Sequence, residues 1–223
     1  MSTRRQQGFT LWELLMALLV AGILFGIGVP NVMELQRNGA MSAAANDLVT
    51  AVLLARNEAV KRQVPVTLCL TNNPLAGTPA CSPDAVADSS TRGFIVFVDE
   101  NGNVDANGSP DLGDATDGNG ALDAGETVLL RTAARGDPIR LSANCGNVSY
   151  GPSGWVRQAG GLCFAGFGTP VVMLLCDDRG RRAAAGGLSS ARAVRIDATG
   201  RGVVLQETAQ VDPMIATTGA TCP

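Results

Sequence analysis

The stretch "GFTLWELLMALLVAGILFGIGVP" (8–30) combines an apolar run long enough to cross a membrane with a single charged residue. Glu13 is the only charged residue between Leu11 and Val29. A helix needs about 20 apolar residues to span the hydrocarbon core of a bilayer. A carboxylate there costs on the order of 2.5–3.5 kcal/mol and commonly marks a functional site with a partner. The stretch therefore predicts a membrane helix, with Glu13 either as such a site or as a helix-end carboxylate reaching toward the headgroups.

The residues ahead of the run indicate its orientation and processing. Arg4 and Arg5 are the only charges there, and positive charge before an apolar segment keeps the N-terminus cytoplasmic. An ordinary secretory signal is cut after its apolar core. Here a small residue, Gly8, lies ahead of the core and directly before Phe9. Cleavage at that point would remove residues 1–8 as a leader and leave the apolar helix attached.

This leader junction resembles that of type IV pilins and secretion pseudopilins: Gly8-Phe9-Thr10-Leu11 is followed by Glu13-Leu14-Leu15. The resemblance implies cleavage between Gly8 and Phe9 by a prepilin peptidase and methylation of the new Phe9 amine. It also implies that Glu13 pairs with the Phe9 amine of a neighbouring subunit during filament assembly. Such a pair relieves both buried charges, because neither has a partner in lipid.

Composition restricts the remaining classes of function. The 223 residues accommodate one helix and one globular domain of about 150 residues. The net charge of −3 becomes −5 when Arg4 and Arg5 leave with the leader, so the whole molecule is not a polycation. The chain has no histidine, which excludes histidine-based triads, metal sites and general bases. Asp177 and Asp178 are adjacent and would point to opposite faces of a strand. We therefore expect a structural subunit and not an enzyme.

Helical periodicity continues beyond the membrane segment. Pro30 is expected to interrupt and kink the helix, since an interior proline loses a hydrogen bond. Helical spacing then runs to about Gln63, because Pro65 disfavours helical geometry in the residue before it. We expect residues 9–30 to be transmembrane and residues 31–63 to be amphipathic. The spacing is carried by Met41, Ala45, Leu48, Val52, Ala55 and Ala59.

Residues 64–223 have the pattern of a β-rich domain. Short β-branched segments separated by Gly, Pro and Asn predict an antiparallel sandwich or sheet, with the helix covering one face. The predicted fold class is α+β, a long N-terminal helix packed on an antiparallel C-terminal β domain. The strand segments are 64–70, 93–99, 126–132, 138–143, 147–151, 170–177, 191–197 and 201–207.

Six cysteines all lie in this domain. In an exported protein an even count predicts disulfides, although the sequence alone leaves fifteen connectivities open. We favour Cys69–Cys81, Cys145–Cys163 and Cys176–Cys222, because the first two close local loops. The third would fasten the C-terminal tail to a core strand.

Parts of the domain resemble the GspH/FimT (FimU-like) branch of minor pseudopilins. The similar pieces are "ARNEAVKRQVPVTLC" (55–69), "GFIVFVDENGN" (93–103), "GETVLL" (125–130), "CDDRG" (176–180) and "ARAVRIDATGRGVVL" (191–205). The resemblance implies a single-pass inner-membrane protein with a periplasmic domain that joins minor and major pilins in a cell-surface or periplasmic filament. It further implies that the protein helps to initiate a type IV pilus and sits at or near its tip. Two alternatives stay open, a DNA-binding minor pilin for natural transformation and minor pseudopilin H of type II secretion.

A basic stretch follows the strand that ends near Cys176. Clustered arginines bind phosphates through bidentate hydrogen bonds and counterion release, without reading sequence. Some FimT-type minor pilins use a C-terminal Gly-Arg-x-Arg stretch to capture DNA, but here the matching Gly200-Arg201-Gly202-Val203 lacks the second arginine. The alternative is that these arginines are solvated charges on an exposed strand edge, where they prevent pairing with another strand. The candidate DNA-binding residues are Arg179, Arg181, Arg182, Arg195 and Arg201.

An acidic stretch from Asp99 to Glu126 contains eight Asp or Glu residues and no Lys or Arg. Within it, "ATDGNGALDAGE" (115–126) nearly fits a calcium-binding loop, but Ala115 stands where the first ligand belongs. The alternative is a solvated hairpin tip rich in Asp-Gly and Asn-Gly turns. The candidate calcium ligands are Asp117, Asn119, Asp123 and Glu126. No other cofactor is predicted.

Overall fold

The computed structural model describes residues 8–82, 86–99, 118–157, 170–182, 187–218 and 222. A long helix, α1 (Leu11–Arg62), begins the described chain, and a short helix, α2 (Thr208–Thr218), lies near its end. The chain divides into two compact units, Met1–Ala40 and Met41–Pro223. The strands between the helices are β1 (Val66–Thr71), β2 (Val86–Ser89), β3 (Gly93–Val98), β4 (Val128–Thr132), β5 (Arg140–Ala143), β6 (Asn147–Tyr150), β7 (Val171–Cys176), β8 (Leu188–Ile196) and β9 (Gly202–Glu207).

The N-terminal unit contains the apolar part of α1. By length and composition α1 is the one described helix that could cross a membrane, with a mean hydropathy of 2.2 in its most apolar window. The predicted interruption at Pro30 is wrong, since α1 continues through position 30. One lost hydrogen bond does not end a helix whose other turns are intact, and apolar spanning helices tolerate proline. The predicted kink stays a prediction.

The C-terminal end of α1 lies in the second unit, one residue before the predicted position. Gln63 adopts a left-handed conformation, with φ at 60°. Its backbone N–H donates to the Ala59 carbonyl at 2.9 Å, and its side-chain Nε2 donates to the Val60 carbonyl at 2.6 Å. Carbonyls that have no partner within the last turn are thereby satisfied. Pro65 then prevents any extension of the helix.

The strands of the second unit form two antiparallel sheets. The first has the order β4-β3-β1-β6, and the second has the order β2-β5-β7-β8-β9. In the first sheet Leu68 lies opposite Val96, and Cys69 lies opposite Ile95. Leu68 and Val96 belong to the main core, whereas Cys69 and Ile95 belong to a separate cluster on the other face. This alternation is the expected period of two for strands.

One face of α1 and the facing sides of both sheets share the main hydrophobic core. From α1 it receives small side chains such as Ala51 and Ala55, both fully buried. The sheets contribute larger residues, among them Leu68 from β1 and Met173 from β7. The predicted packing of a helix on one face of an antiparallel β domain is therefore confirmed.

The second sheet is also covered on its outer face, by α2. Val211 and Ile215, one helical turn apart, are buried against Val172 and Leu174 of β7. Burial on both faces explains why β7 reads as a continuous apolar run and not as an alternating one. Sequence reasoning did not predict α2, because its eleven residues include Pro213 and carry a weak apolar pattern.

Disulfides join Cys69 to Cys81 and Cys176 to Cys222, two of the three pairs that the sequence analysis favours. Cys145 is also disulfide-bonded. Its favoured partner, Cys163, lies outside the described residues. The bond from Cys176 to Cys222 connects the end of β7 to the tail that follows α2, and Cys222 packs against the cluster that α2 covers.

Replacement of both Cys176 and Cys222 by alanine should lower the free energy of unfolding by about 3–4 kcal/mol in the chain-entropy model. The bond closes a separation of 46 residues, against 12 for Cys69 and Cys81. Replacement of both Cys69 and Cys81 by alanine, the matched control, should lower the free energy of unfolding by about 3 kcal/mol. Urea unfolding followed by circular dichroism measures both. A loss under about 1 kcal/mol for the longer link would contradict its proposed role of holding the tail.

Candidate assembly segment and charged clusters

The first turn of α1 holds the residues that the leader resemblance singles out. Thr10 precedes the helix, and its Oγ1 accepts a hydrogen bond from the Glu13 backbone N–H at 3.3 Å. Thr10 is therefore the N-cap residue, and Glu13 occupies the third helical position. A carboxylate there also interacts favourably with the positive end of the helix dipole. Gly8 and Phe9 lie directly before this cap, and both are exposed.

The apolar side chains of this segment have no cover within their own unit. Every described residue from Leu11 to Val29 is exposed except Ala21, which is half-buried. A helix that is apolar on all sides is stable only in lipid or among other helices. The segment therefore requires an environment that the described chain does not supply.

Two glycines of this segment were not used in the sequence analysis. Gly22 and Gly26 are four residues apart and so lie on one side of α1. A Cβ added at either position would have nothing within 4 Å. The Gly-x-x-x-Gly spacing in an apolar helix is the signal that could have identified them, because it lets a second helix approach closely.

The candidate DNA-binding arginines do not lie on one surface. Arg181 and Arg182 follow β7, in the connection that leads into β8, and Arg201 lies in the turn after β8. These two connections are at opposite ends of β8, and a strand of nine residues spans roughly 25 Å at about 3.3 Å per residue. All three side chains are exposed, and none has an ion pair within the described chain.

The other arginines of the stretch are engaged within the domain. Arg179 donates to the Asp177 carboxylate from Nε at 2.9 Å and from Nη2 at 2.6 Å, and its side chain is only 9% exposed. Arg195 donates to Asp197 at 3.0 Å. Arg192 is buried and donates to the Ala191 carbonyl, and its burial lowers the pKa of its guanidinium. DNA binding stays a prediction. Of the five candidate residues, Arg181, Arg182 and Arg201 are exposed, whereas Arg179 and Arg195 are paired with carboxylates.

The turn after β8 is fixed by a close approach of two backbones. Gly200 has φ at 78°, and a Cβ there would lie 2.5 Å from the Gly154 carbonyl oxygen and 2.8 Å from the Tyr150 ring. Only glycine fits this position, both for its conformation and for its space. Arg201 and Trp155 each follow one of these two glycines in the chain.

The acidic stretch is anchored to the first sheet by Asp99, the residue after β3. Its side chain is fully buried. Its Oδ2 accepts hydrogen bonds from the Thr67 hydroxyl at 2.5 Å and from the Gly120 N–H at 3.0 Å. The Gly120 carbonyl in turn accepts a bond from the Asn147 amide at 3.2 Å. Asp99 therefore has a structural role, which is to fix the return of the loop to the sheet.

The described part of the candidate calcium loop forms hydrogen bonds within itself. The Asn119 amide nitrogen donates to Asp123 Oδ2 at 2.8 Å, and the Asp123 N–H donates to Glu126 Oε2 at 2.8 Å. Among the residues that the structure describes, no three acidic or cysteine side chains group as metal ligands. Asp117 lies outside those residues. Calcium binding stays a prediction.

Two models of known protein families match this chain. Residues 3–29 match the model of the prokaryotic N-terminal methylation motif, which includes Gly8, Phe9 and Glu13. The motif and the apolar helix fit the class of inner-membrane-anchored pilins with a soluble C-terminal domain. Residues 44–200 match the model described as type II transport protein GspH. The chain therefore belongs to the GspH family, whose pilin-like members are structural proteins.

Two solved structures of the type IV minor pilin FimU from Pseudomonas aeruginosa strain PAO1 resemble this chain. The first, in space group P21, is 15% identical with a TM-score of 0.38, over 75% of this chain and 87% of FimU. The second, in space group P65, is 12% identical with a TM-score of 0.38, over 74% of this chain and 91% of FimU. No curated protein sequence matches the chain.

Burial of Asp99 predicts a pH dependence of stability. Burial raises the pKa of its carboxyl above the ordinary 3.8, more than the bonds from Thr67 and Gly120 lower it. The native state then keeps a proton that the unfolded chain has lost, so the contribution of Asp99 to stability is fully present below about pH 3.8 and is lost as pH rises through its native pKa. Asp99→Asn should remove this decline, because the amide stays neutral and keeps an acceptor oxygen.

Urea unfolding of the full chain in detergent, from about pH 4 to about pH 8, measures this dependence. Asp178→Asn is the matched control, since Asp178 is exposed on the surface. The control should follow the wild-type profile. If Asp99→Asn also follows the wild-type profile, the carboxyl of Asp99 is not the source of the pH dependence.

Proposed function

We propose that this protein is a minor pilin that helps to initiate a type IV pilus and sits at or near its tip. The observation that carries the proposal is the bare apolar segment Leu11–Val29 with Glu13 in its first turn. In the family's assembly chemistry a prepilin peptidase cuts between Gly8 and Phe9, and the Phe9 amine is methylated. Glu13 would then meet the Phe9 amine of a neighbouring subunit.

The physical reason is that a helix bundle without water disfavours an unpaired charge. A carboxylate and an amine buried singly each lose their hydration, whereas a pair in contact compensates both. Only a subunit in the correct axial position brings the two groups together. Formation of the pair therefore requires the correct axial register between subunits. The apolar side chains around the pair supply the surface that is buried on assembly.

This role makes the periplasmic β domain the exposed part of the subunit. With Arg4 and Arg5 on the cytoplasmic side, the segment crosses the inner membrane once, and residues 64–223 lie in the periplasm until assembly. Disulfides between Cys69 and Cys81 and between Cys176 and Cys222 suit that oxidising compartment. The function is interaction with other minor and major pilins, without enzymatic chemistry.

A second candidate function is that of a minor pseudopilin of type II secretion. The match of residues 44–200 to a family described as a type II transport protein favours it. Both functions use the same assembly segment, and they differ in what the filament does. Deletion of the gene distinguishes the two functions. Surface pili would be lost if the protein initiates a pilus, and export of secreted proteins would be lost if it serves type II secretion.

Glu13→Gln should abolish filament assembly while leaving the protein in the membrane. The amide keeps the shape and the N-cap interaction of Glu13 but cannot form the ion pair. Removal of one partner of a buried ion pair costs about 3–5 kcal/mol, and a loss of about 3 kcal/mol already lowers incorporation by about 100-fold. Electron microscopy of surface filaments in a deletion strain complemented with each variant measures the effect. Mass spectrometry for a methylated Phe9 terminus shows whether processing is intact.

Glu34→Gln is the matched control, because Glu34 is an exposed carboxylate farther along the same helix. Its variant should restore filaments to the wild-type number. Filaments at wild-type number in the Glu13→Gln strain would exclude the ion pair as the basis of assembly. If the deletion strain itself keeps all its filaments and loses secretion, the second candidate replaces the first.

A further inference from the structure

Three large apolar side chains lie on the surface of the domain unit, outside its cores. Leu53 and Val60 of α1 are each 45% exposed, and Trp155 of the loop after β6 is 47% exposed. Leu53 and Val60 are seven residues apart, which places them on the same side of α1, two turns from each other. We call these three residues the Trp155 patch.

The loop that carries Trp155 rests directly on α1. Arg56 donates from Nε to the Gly154 carbonyl at 3.0 Å. A Cβ added at Gly154 would lie 3.1 Å from Val60 Cγ2, so the backbone of the loop contacts that side chain. Trp155 is the next residue, so its backbone directly follows the contact with Val60.

Hydrogen bonds hold the loop in place. The Gly151 N–H donates to the Trp155 carbonyl at 3.0 Å, and the Gly154 N–H donates to the Gly151 carbonyl at 2.9 Å. The Val156 N–H donates to the Ala198 carbonyl at 3.1 Å, which ties the loop to the turn after β8. Trp155 is therefore presented on a fixed backbone, and little conformational entropy would be lost when a partner binds it.

The surroundings of the patch are positively charged. Arg56 lies on α1 between Leu53 and Val60, and Arg201 follows the glycine that contacts Gly154. Lys61 and Arg62 share a single acid, Glu58, which leaves one positive charge in excess. The acids of the chain are instead concentrated from Asp99 to Glu126. A surface of opposite charge would complement this rim.

We propose that the Trp155 patch is a docking surface for a neighbouring pilin-like subunit that presents carboxylates around an apolar contact. The inference rests on the proposed function, in which α1 is the helix that lies against other subunits. Tryptophan and arginine are the residues most enriched where protein interfaces concentrate their binding energy. A nucleic acid fits less well, because Leu53 and Val60 offer nothing to a phosphate backbone.

Site-specific photo-crosslinking in the full chain tests the proposal. The photoreactive residue p-benzoylphenylalanine replaces position 53, 60 or 155, one at a time, in a strain that carries every other pilin-like subunit. The matched controls are positions 75 and 188, because Leu75 and Leu188 are also exposed apolar residues, in other parts of the domain. Adducts are identified by mass spectrometry and then sought again after deletion of the partner's gene.

The expected result is one adduct with another pilin-like subunit from positions 53, 60 and 155, and none from the controls. Four outcomes would overturn the proposal: an adduct with a second copy of this chain, a nuclease-sensitive adduct with DNA, the same adduct from the controls, or no adduct. The first assigns the surface to a homodimer, and the second assigns it to nucleic acid.

Charge reversal tests the basic rim separately. Arg201→Glu should lower the yield of the adduct from position 155 by about fivefold, the equivalent of one surface ion pair. Arg182→Glu is the matched control, because Arg182 is also exposed but lies in the connection that precedes β8, with its carbonyl bonded to Ser190 near the start of that strand. Equal yields from the two variants would exclude the charge complementarity.

The same strains separate failure of this inference from failure of the proposed function. Filaments lost in the Glu13→Gln strain with no adduct from the patch would leave the proposed function standing and reject the docking surface. Filaments unchanged in the Glu13→Gln strain would reject the proposed function, and the adducts would then be judged by themselves.

Discussion

The contact between the small side chains of α1 and both β-sheets is the interaction on which the domain depends. Ala45, Ala51 and Ala55 are almost completely buried, and alanine at these positions lets the helix backbone lie close to the strands. Larger residues from the sheets, such as Leu68 and Met173, then fill the interior. Since both sheets contribute to one core, α1 also holds them together.

The same helix satisfies opposite demands at its two ends. Within Met41–Ala59 one face is buried by the domain's own strands, so that part needs no partner. From Leu11 to Val29 the side chains are apolar on every side and exposed. Lipid before assembly and other helices after it are the environments that suit such a surface. The proposed function therefore follows from the part of the helix that its own unit leaves uncovered.

Two of the segments that resemble the GspH/FimT branch contain buried carboxylates at strand ends. Asp99 follows β3 and accepts the N–H of Gly120, which fixes the returning end of the acidic loop. Asp177 follows β7 and accepts the backbone N–H of Arg179 at 3.0 Å as well as its guanidinium. In each case one carboxylate accepts hydrogen bonds from backbone N–H groups near the end of a strand that would otherwise lack a partner. Asp99 in "GFIVFVD" and Asp177 in "CDDRG" therefore each have a structural role.

The sequence by itself determined the membrane segment, the position of Glu13, the end of α1 and eight of the nine described strands, because these depend on local periodicity and on nearby residues such as Pro65. Only the tertiary structure decided which strands share a sheet, how α2 covers β7, and where the arginines lie. Strand pairing joins residues that are distant in the chain, and an antiparallel strand carries its flanking turns to opposite ends. Arg182 and Arg201 therefore lie at opposite ends of β8, whereas Gly154, the residue before Trp155, and Val60 are distant in sequence and in contact.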